Sequence, residues 1–160
     1  LSRADMLILT KTNLIEPSAY LKNLTEKYKS PTFNSSVYFK KALMHNDKSM
    51  MVDKNVSALA VSGIADTQSF HKTLEQADIN VCDTITFIDH HSYVQEDIDA
   101  IINKAKSCSA DIIVTTEKDL VKLKNSDFDK FSLFGLEIHF QIDNQSEQQL
   151  FDVIERKLSI

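Results

Sequence analysis

Glycine is scarce in this chain. Two glycines, Gly63 and Gly135, stand among 160 residues, where ordinary usage of roughly 7% would supply about eleven. A glycine-rich loop that wraps phosphates with backbone N–H groups cannot be built from that inventory. A long basic run is also missing, and the net charge is −5, so nothing draws this surface toward nucleic acid or anionic lipid. Apolar runs are strand-sized, such as residues 6–9 and 112–114, and none is long enough to span a bilayer. A charged segment leading into an apolar one, the mark of a secretory signal, does not open the chain. The two cysteines, Cys82 and Cys108, lack a CxxC spacing, which favours reduced thiols in a cytoplasmic setting over a disulfide or a metal site. The first residue is Leu1 rather than methionine, and a strand follows almost at once, so the chain reads as a piece of a longer one.

What is present is an ordinary globular composition, 42% apolar and 26% charged, arranged as strands alternating with helices. Residues 5–9 read as a short buried strand. Pro17 suits the first turn of a helix with Leu21, Leu24 and Tyr28 on its apolar face. Residues 29–36 are turn-rich and mark a boundary, and residues 36–44 and 50–52 read as strands of a hairpin around the polar turn 45–48. Then come a strand over 56–61, a helix over 67–77, a strand within 79–88 and a helix over 94–108. That last helix has Val94, Ile98, Ile101, Ile102 and Ala105 on one stripe, with Ser92 and Gln95 as a capping box. A strand over 110–114, a short helix from Thr116, and a strand over 135–142 follow. The closing helix, capped by Ser146 and Gln149, is expected to bury Leu150, Phe151, Ile154 and Leu158. The fold class is α/β, a mostly parallel sheet with helices on both faces. Three regions are expected: 1–30, a strand and helix belonging to or bordering a nucleotide-binding lobe; 31–55, a hairpin-like linker; and 56–160, an α/β lobe.

Ligands of such sheets gather at the carboxyl ends of the strands, and three strand ends carry distinctive residues. Thr10, Lys11, Thr12 and Asn13 match the T-K-x-[DN] element by which P-loop nucleotide-binding proteins hold a base. Asn13 stands where guanine-specific proteins have aspartate. The alternative is a polar strand exit that caps the next helix. Asp89, His90 and His91 close an apolar run. They fit a catalytic histidine oriented by a carboxylate, a metal site, or a plain strand terminus. Adjacent rings cannot face one way in extended chain, so at most one, His90, points into a cleft. Thr115, Thr116, Glu117, Lys118 and Asp119 form the third element. Thr116 and Asp119 suit a capping box, but Lys118 is electrostatically misplaced at a helix N-terminus and calls for a phosphate or an acidic side chain. Gly63 suits a positive φ or a close backbone approach. The aromatics Tyr38, Phe39, Phe128, Phe131, Phe134 and Phe140 read as core or interface packing.

Taken in order, Ser2-Arg3-Ala4-Asp5 with Thr10-Lys11, then Ser62-Gly63-Ile64, then Asp89-His90-His91-Ser92-Tyr93, then Thr115-Thr116-Glu117-Lys118-Asp119 resemble the tetraacyldisaccharide 4′-kinase family, over its C-terminal half. The glycine segment departs from the family pattern at Ala65, Asp66 and Thr67, where a second glycine or asparagine and a proline are usual. The resemblance implies a P-loop-kinase-like C-terminal lobe and transfer of phosphate from ATP, with Mg2+, to the 4′-hydroxyl of a lipid A precursor. It implies a Gram-negative cell making lipopolysaccharide, with the full-length protein peripheral at the inner membrane. The P-loop and magnesium ligands would lie in an N-terminal lobe of the same polypeptide, so this piece alone is expected to be inactive. His90 and Asp89 are the catalytic residues that the resemblance implies. Thr10, Lys11, Asn13, Glu117 and Lys118 are the candidates for holding the nucleotide. Two rivals are a DHH-type metal-dependent phosphoesterase, which needs further strand-end carboxylates for its metals, and a non-catalytic α/β binding module.

Overall fold

The computed structural model describes residues 4–28, 30–45, 48–51 and 55–158, and only the backbone of 40–45, 48–51, 144 and 145. The elements run β1 (Leu7–Thr10), α1 (Ala19–Tyr28), β2 (Thr32–His45), β3 (Lys48–Met51), β4 (Ser57–Ser62), α2 (Thr67–Gln76), β5 (Asn80–Thr86), α3 (Gln95–Ser107), β6 (Ile112–Thr116), α4 (Glu117–Leu123), β7 (Ser132–Ile142) and α5 (Asn144–Leu158). The chain divides into two compact units, Leu1–Tyr38 with His139–Ile160, and Phe39–Ile138.

In the larger unit, β5, β4, β6 and β7 pair side by side, all parallel. The registers Ala60↔Val114 and Val114↔Phe134 bring β4, β6 and β7 level. Side chains alternate across this sheet with the period of two that extended chain imposes. Ala58 and Ala60 join Phe70 and Leu74 of α2, with Ile112, Val114, Phe134 and Leu136, in one core. Leu59 and Val61 join Ile98, Ile101 and Ala105 of α3 and Leu120 and Leu123 of α4 in the other. β4 is therefore covered on both faces, which is why its run SALAVS is almost continuously apolar. Phe128, Phe131 and Phe134 are buried as expected, whereas Tyr38 and Phe140 are half exposed.

Asp66 caps α2, accepting from the N–H of Ser69 at 3.0 Å and its hydroxyl at 2.6 Å. α3 starts later than the expected Ser92–Gln95 box, because the Asp97 carboxylate takes the Val94 N–H at 2.9 Å and makes Val94 the cap. Its charges follow the helix dipole, with Glu96 and Asp97 in the first turn and Lys104 and Lys106 in the last. Cys82 and Cys108 are free thiols, and burial, then Cys82 nearby, pushes the Cys108 thiol up to about 11.

In the smaller unit β1 pairs parallel to β2, from Leu7↔Thr32 to Thr10↔Ser35. The segment expected as turn-rich is already strand from Thr32, since Asn34 and Ser35 serve the ladder beside β1. From Phe39 onward β2 belongs to the larger unit, where it pairs antiparallel with β3, Ala42↔Met51 to His45↔Lys48. That is the expected hairpin; residues 46, 47 and 52 lie outside the described residues. α1 buries none of its residues, and Leu21 is 39% exposed. Periodicity marks the helix, but a four-residue strand offers little platform for its apolar face. α5 buries Leu150, while Phe151 and Leu158 are half exposed or more. Its start is held by the Asp143 carbonyl, which accepts from the N–H groups of Ser146 and Glu147, rather than by Ser146. No helix among the described residues is long and apolar enough to cross a membrane.

Candidate functional site

The carboxyl ends of β4 and β6 and the loop that follows β5 meet on one buried carboxylate. Asp119, in the first turn of α4, is fully buried. Its Oδ2 accepts from the Gly63 N–H at 2.9 Å, just past β4, and from the Thr116 hydroxyl at 2.8 Å, at the end of β6. Thr116 Oγ1 in turn accepts from the Asp119 N–H at 3.1 Å. Thr116 thus caps α4 as expected, but the same Asp119 oxygen that meets the cap's hydroxyl also reaches across to Gly63 at the next strand's end. Burial, and then the charge of Asp119, raises the Tyr93 hydroxyl above the ordinary phenol pKa. That hydroxyl, Asp119 Oδ1 and Thr115 Oγ1 are buried without a hydrogen-bond partner of good geometry.

Gly63 sits under this junction. A Cβ placed there would meet Tyr93 Oη at 2.9 Å, Asp119 Oδ1 at 3.2 Å and His91 Cβ at 3.5 Å. Neither glycine has a positive φ. Of the two expected roles, close approach is the one Gly63 fills.

The β5 strand ends at Thr86, three residues short of Asp89. Phe87 still donates to the Ser62 carbonyl at 2.8 Å, and then a turn forms in which the His91 N–H bonds the Ile88 carbonyl at 3.1 Å. His90 is the third residue of that turn and has φ 60°. Left-handed backbone at this place is where glycine or asparagine is usual. Asp89 Oδ1 accepts from the His90 N–H at 3.0 Å, and His90 Nε2 lies 3.6 Å from Asp89 Oδ2. The His90 side chain is 76% exposed. Partial burial pushes the Asp89 pKa up, but the charges and hydrogen bonds of His90 and Lys118 outweigh it and hold it below the usual carboxylate value.

Lys118, the lysine that sequence marked as misplaced, finds an acidic side chain, with its Nζ 3.4 Å from Asp89 Oδ1. Glu117 Oε2 accepts from the Ile138 N–H at 3.4 Å. The two histidines have different surroundings, although they lie in a turn and not in the extended chain on which the expectation rested. The His91 ring stacks on Phe87, with centroids 4.6 Å apart, and meets Tyr93 edge-on at 5.1 Å. His91 Nε2 bonds Asp97 Oδ2 at 2.8 Å. Asp97 is held below its ordinary pKa by the Val94 N–H first and by His91 second. Lys122 Nζ donates to the His91 carbonyl at 2.8 Å. Sequence reasoning named His91 and Tyr93 only as members of the strand-end motif, giving the role to His90, and did not single out Asp97 or Lys122; the local signal for Lys122 was its four-residue spacing from Lys118, which puts both on one face of α4.

In the smaller unit, Thr10 ends β1 and Lys11 follows with φ 61°. The Lys11 carbonyl accepts from the N–H groups of Leu14 and Ile15. Asn13 spends both ends of its amide on Val37, Nδ2 donating to the carbonyl at 2.7 Å and Oδ1 accepting the N–H at 2.8 Å. Among the described residues, no group of three His, Cys, Asp or Glu is arranged to hold a metal ion.

The comparisons with known proteins agree with one another. The family model LpxK, tetraacyldisaccharide-1-P 4′-kinase, matches residues 1–158. The tetraacyldisaccharide 4′-kinase of Halothermothrix orenii is 33% identical over 147 residues, 82% of this chain and 38% of that protein. That of Desulfatibacillum aliphaticivorans is 35% identical over 107 residues, 67% of this chain and 28% of that protein. A crystal structure of LpxK from Aquifex aeolicus in complex with ATP aligns with a TM-score of 0.59 and 27% identity, over 96% of this chain and 42% of that one. The chain thus spans about two-fifths of the length of the Halothermothrix and Aquifex proteins. The mostly parallel, helix-covered sheet expected from sequence is a fold shared with LpxK.

Proposed function

This chain belongs to the tetraacyldisaccharide-1-P 4′-kinase family, and from that premise we propose that it is the C-terminal portion of a kinase that phosphorylates the 4′-hydroxyl of a tetraacyldisaccharide 1-phosphate with ATP. The observation that carries the reading is His90, an exposed imidazole held in left-handed backbone beside an ionised Asp89. Strain of this kind persists where the surroundings impose it and is often part of a mechanism.

In the proposed role His90 lies against the acceptor sugar, where its ring positions the 4′-hydroxyl or takes its proton as the oxygen attacks phosphorus. Asp89 orients the ring. Phosphoryl transfer rests mainly on positioning and charge stabilisation, so a residue from this part of the protein contributes when the substrate is enclosed. Thr10 and Lys11 are assigned to the nucleotide, with Asn13 shaping their turn through Val37. Lys118 and Glu117 are assigned to the nucleotide's side of the same reaction. Magnesium would supply charge neutralisation on the phosphates. The described residues of this chain hold no cluster that fits it, so its ligands, like the P-loop, are assigned to the N-terminal lobe of the same polypeptide. That polypeptide would sit peripherally at the inner membrane, where its glycolipid substrate resides.

The test is His90→Ala in the complete kinase, beside the 160-residue chain alone. Turnover should fall about 10²–10⁴-fold in the variant, the range for a lost general acid or base, with an unchanged melting temperature. The 160-residue chain should show no turnover. Unaltered turnover in His90→Ala would remove His90 from the mechanism.

A further inference from the structure

His90 is strained and exposed, so something else must fix where its ring points. The residue after it is tied at its backbone N–H, its carbonyl and its ring Nε2. The His91 N–H bonds Ile88, the ring bonds Asp97 and stacks on Phe87, and the carbonyl receives Lys122 Nζ at 2.8 Å. Lys122 closes this set from another element. Its ammonium lies 3.9 Å from Asp119 Oδ1, which has no hydrogen-bond partner of good geometry, and 5.9 Å from the centroid of the Tyr93 ring. A lysine in the last turn of a helix ordinarily points into water or toward its own helix carbonyls. Here it turns to another loop's carbonyl and is only 30% exposed.

The energetic reason is the buried carboxylate. Asp119 Oδ2 is satisfied by Gly63 and Thr116, while Oδ1 faces no donor of good geometry. A cation nearby offsets that burial. Held there, it has a second N–H free to aim at His91. One turn earlier on the same helix face, Lys118 reaches Asp89. α4 thus grips the turn on both sides of His90, through Lys118 before it and Lys122 after it.

We propose that Lys122 is a positioning residue for the proposed phosphoryl transfer, fixing the His91 carbonyl so that the left-handed turn presents His90 in one orientation. It acts through His90 and touches no substrate, and the proposal rests on His90 having the role assigned above.

The experiment is a double-mutant cycle in the complete kinase with Lys122→Met, Lys122→Arg and His90→Ala. Methionine keeps an unbranched stem against Tyr93 without the charge; arginine restores both charge and donor. Lys122→Met should lower kcat about 10–100-fold, the scale of a misplacement near 1 Å, with KM for ATP and for the disaccharide within about twofold. Lys122→Arg should recover most of the loss. In the His90→Ala background, Lys122→Met should have no further effect. The proposal is overturned if Lys122→Met leaves kcat unchanged, or if it lowers kcat equally in both backgrounds. A failure of His90→Ala itself to lower turnover would instead defeat the functional reading. Melting temperatures are measured throughout. If Lys122→Met is unstable, Lys122→Gln takes its place in the cycle and is read by the same two criteria.

Discussion

Gly63→Ala tests the packing where the ends of β4 and β6 meet the loop after β5, and its cost can be worked out before it is measured. The backbone itself accepts alanine, because Gly63 does not have a positive φ, and fewer unfolded conformations would favour the variant by about 0.4–1 kcal/mol. Against that stands the new methyl group, which meets Tyr93 Oη at 2.9 Å and Asp119 Oδ1 at 3.2 Å. Overpacking of this kind costs about 1–3 kcal/mol. The net loss should be about 0.5–2 kcal/mol, read as a drop of a few degrees in a chain of this size. Tyr93→Phe removes the nearest obstacle. By itself that change should be close to neutral, because the hydroxyl is buried without a well-formed hydrogen bond. In the Phe background Gly63→Ala should lose most of its penalty, giving a coupling of about 1 kcal/mol in urea unfolding of the four proteins. Strict additivity would refute the reasoning, since it would mean that the new methyl and the Tyr93 hydroxyl do not compete for the same space.

Two further outcomes follow from the same geometry. Gly135→Ala should cost about 1–3 kcal/mol, because its Cβ would meet Leu120 Cδ2 at 2.6 Å and Cβ at 3.1 Å; Leu120→Ala should relieve only part of it, as thermal unfolding of the double variant would reveal. The Asp97 carboxylate has its pKa lowered on folding, so its contribution is complete above the unfolded value of about 3.9 and disappears as pH falls through the lower folded value. Asp97→Asn should therefore lose about 1 kcal/mol at neutral pH, where the cap to Val94 and the bond to His91 are weakened. It should then converge with the parent as pH falls below the lowered folded value in acid-unfolding curves; a constant gap at every pH would contradict the assignment.

The sheet was legible because its signal is local. Alternation of Ala58 and Ala60 against Leu59 and Val61 needs only the period of extended chain, and α3 needs only its i, i+4 stripe. The end of β5 was harder. Ile88 reads as one more strand residue but is 77% exposed, because the chain has already left the ladder to turn. The expected buried faces of α1 and α5 failed at Leu21, Phe151 and Leu158 for a related reason: periodicity says which residues share a face, not whether anything covers it. The candidate site was legible only in part. Asp89, His90 and Lys118 stood out as residue types in odd places, and Lys118 found the acidic partner that its place demanded. The junction did not stand out, since Asp119 and Gly63 lie 56 positions apart. Nothing in the neighbourhood of Asp119 signals that it would cap across a strand end rather than along its own helix.

The scarcity of glycine bears on where strain is placed. Among the described residues, left-handed backbone occurs at Lys11, Asp78, His90, Ser109 and Asp129 and at no glycine. Asp78 and Ser109 close helices, and each is followed by an N–H that bonds back five residues, Ile79 to Leu74 and Ala110 to Ala105. That pattern demands a left-handed residue whatever the function. Asp129 sits in a turn closed by the Phe131 N–H on the Phe128 carbonyl, with its own N–H on the Asp127 carboxylate. No helix end accounts for Lys11 or His90. Both follow the carboxyl side of a parallel strand, where ligands of this fold class gather, and each carries a side chain assigned a role in the function proposed above, where glycine would cost least. The five positions therefore separate by cause. Replacing Asp78 or Ser109 with glycine relieves a geometric demand, whereas the same change at His90 removes the imidazole for whose sake the strain would be kept.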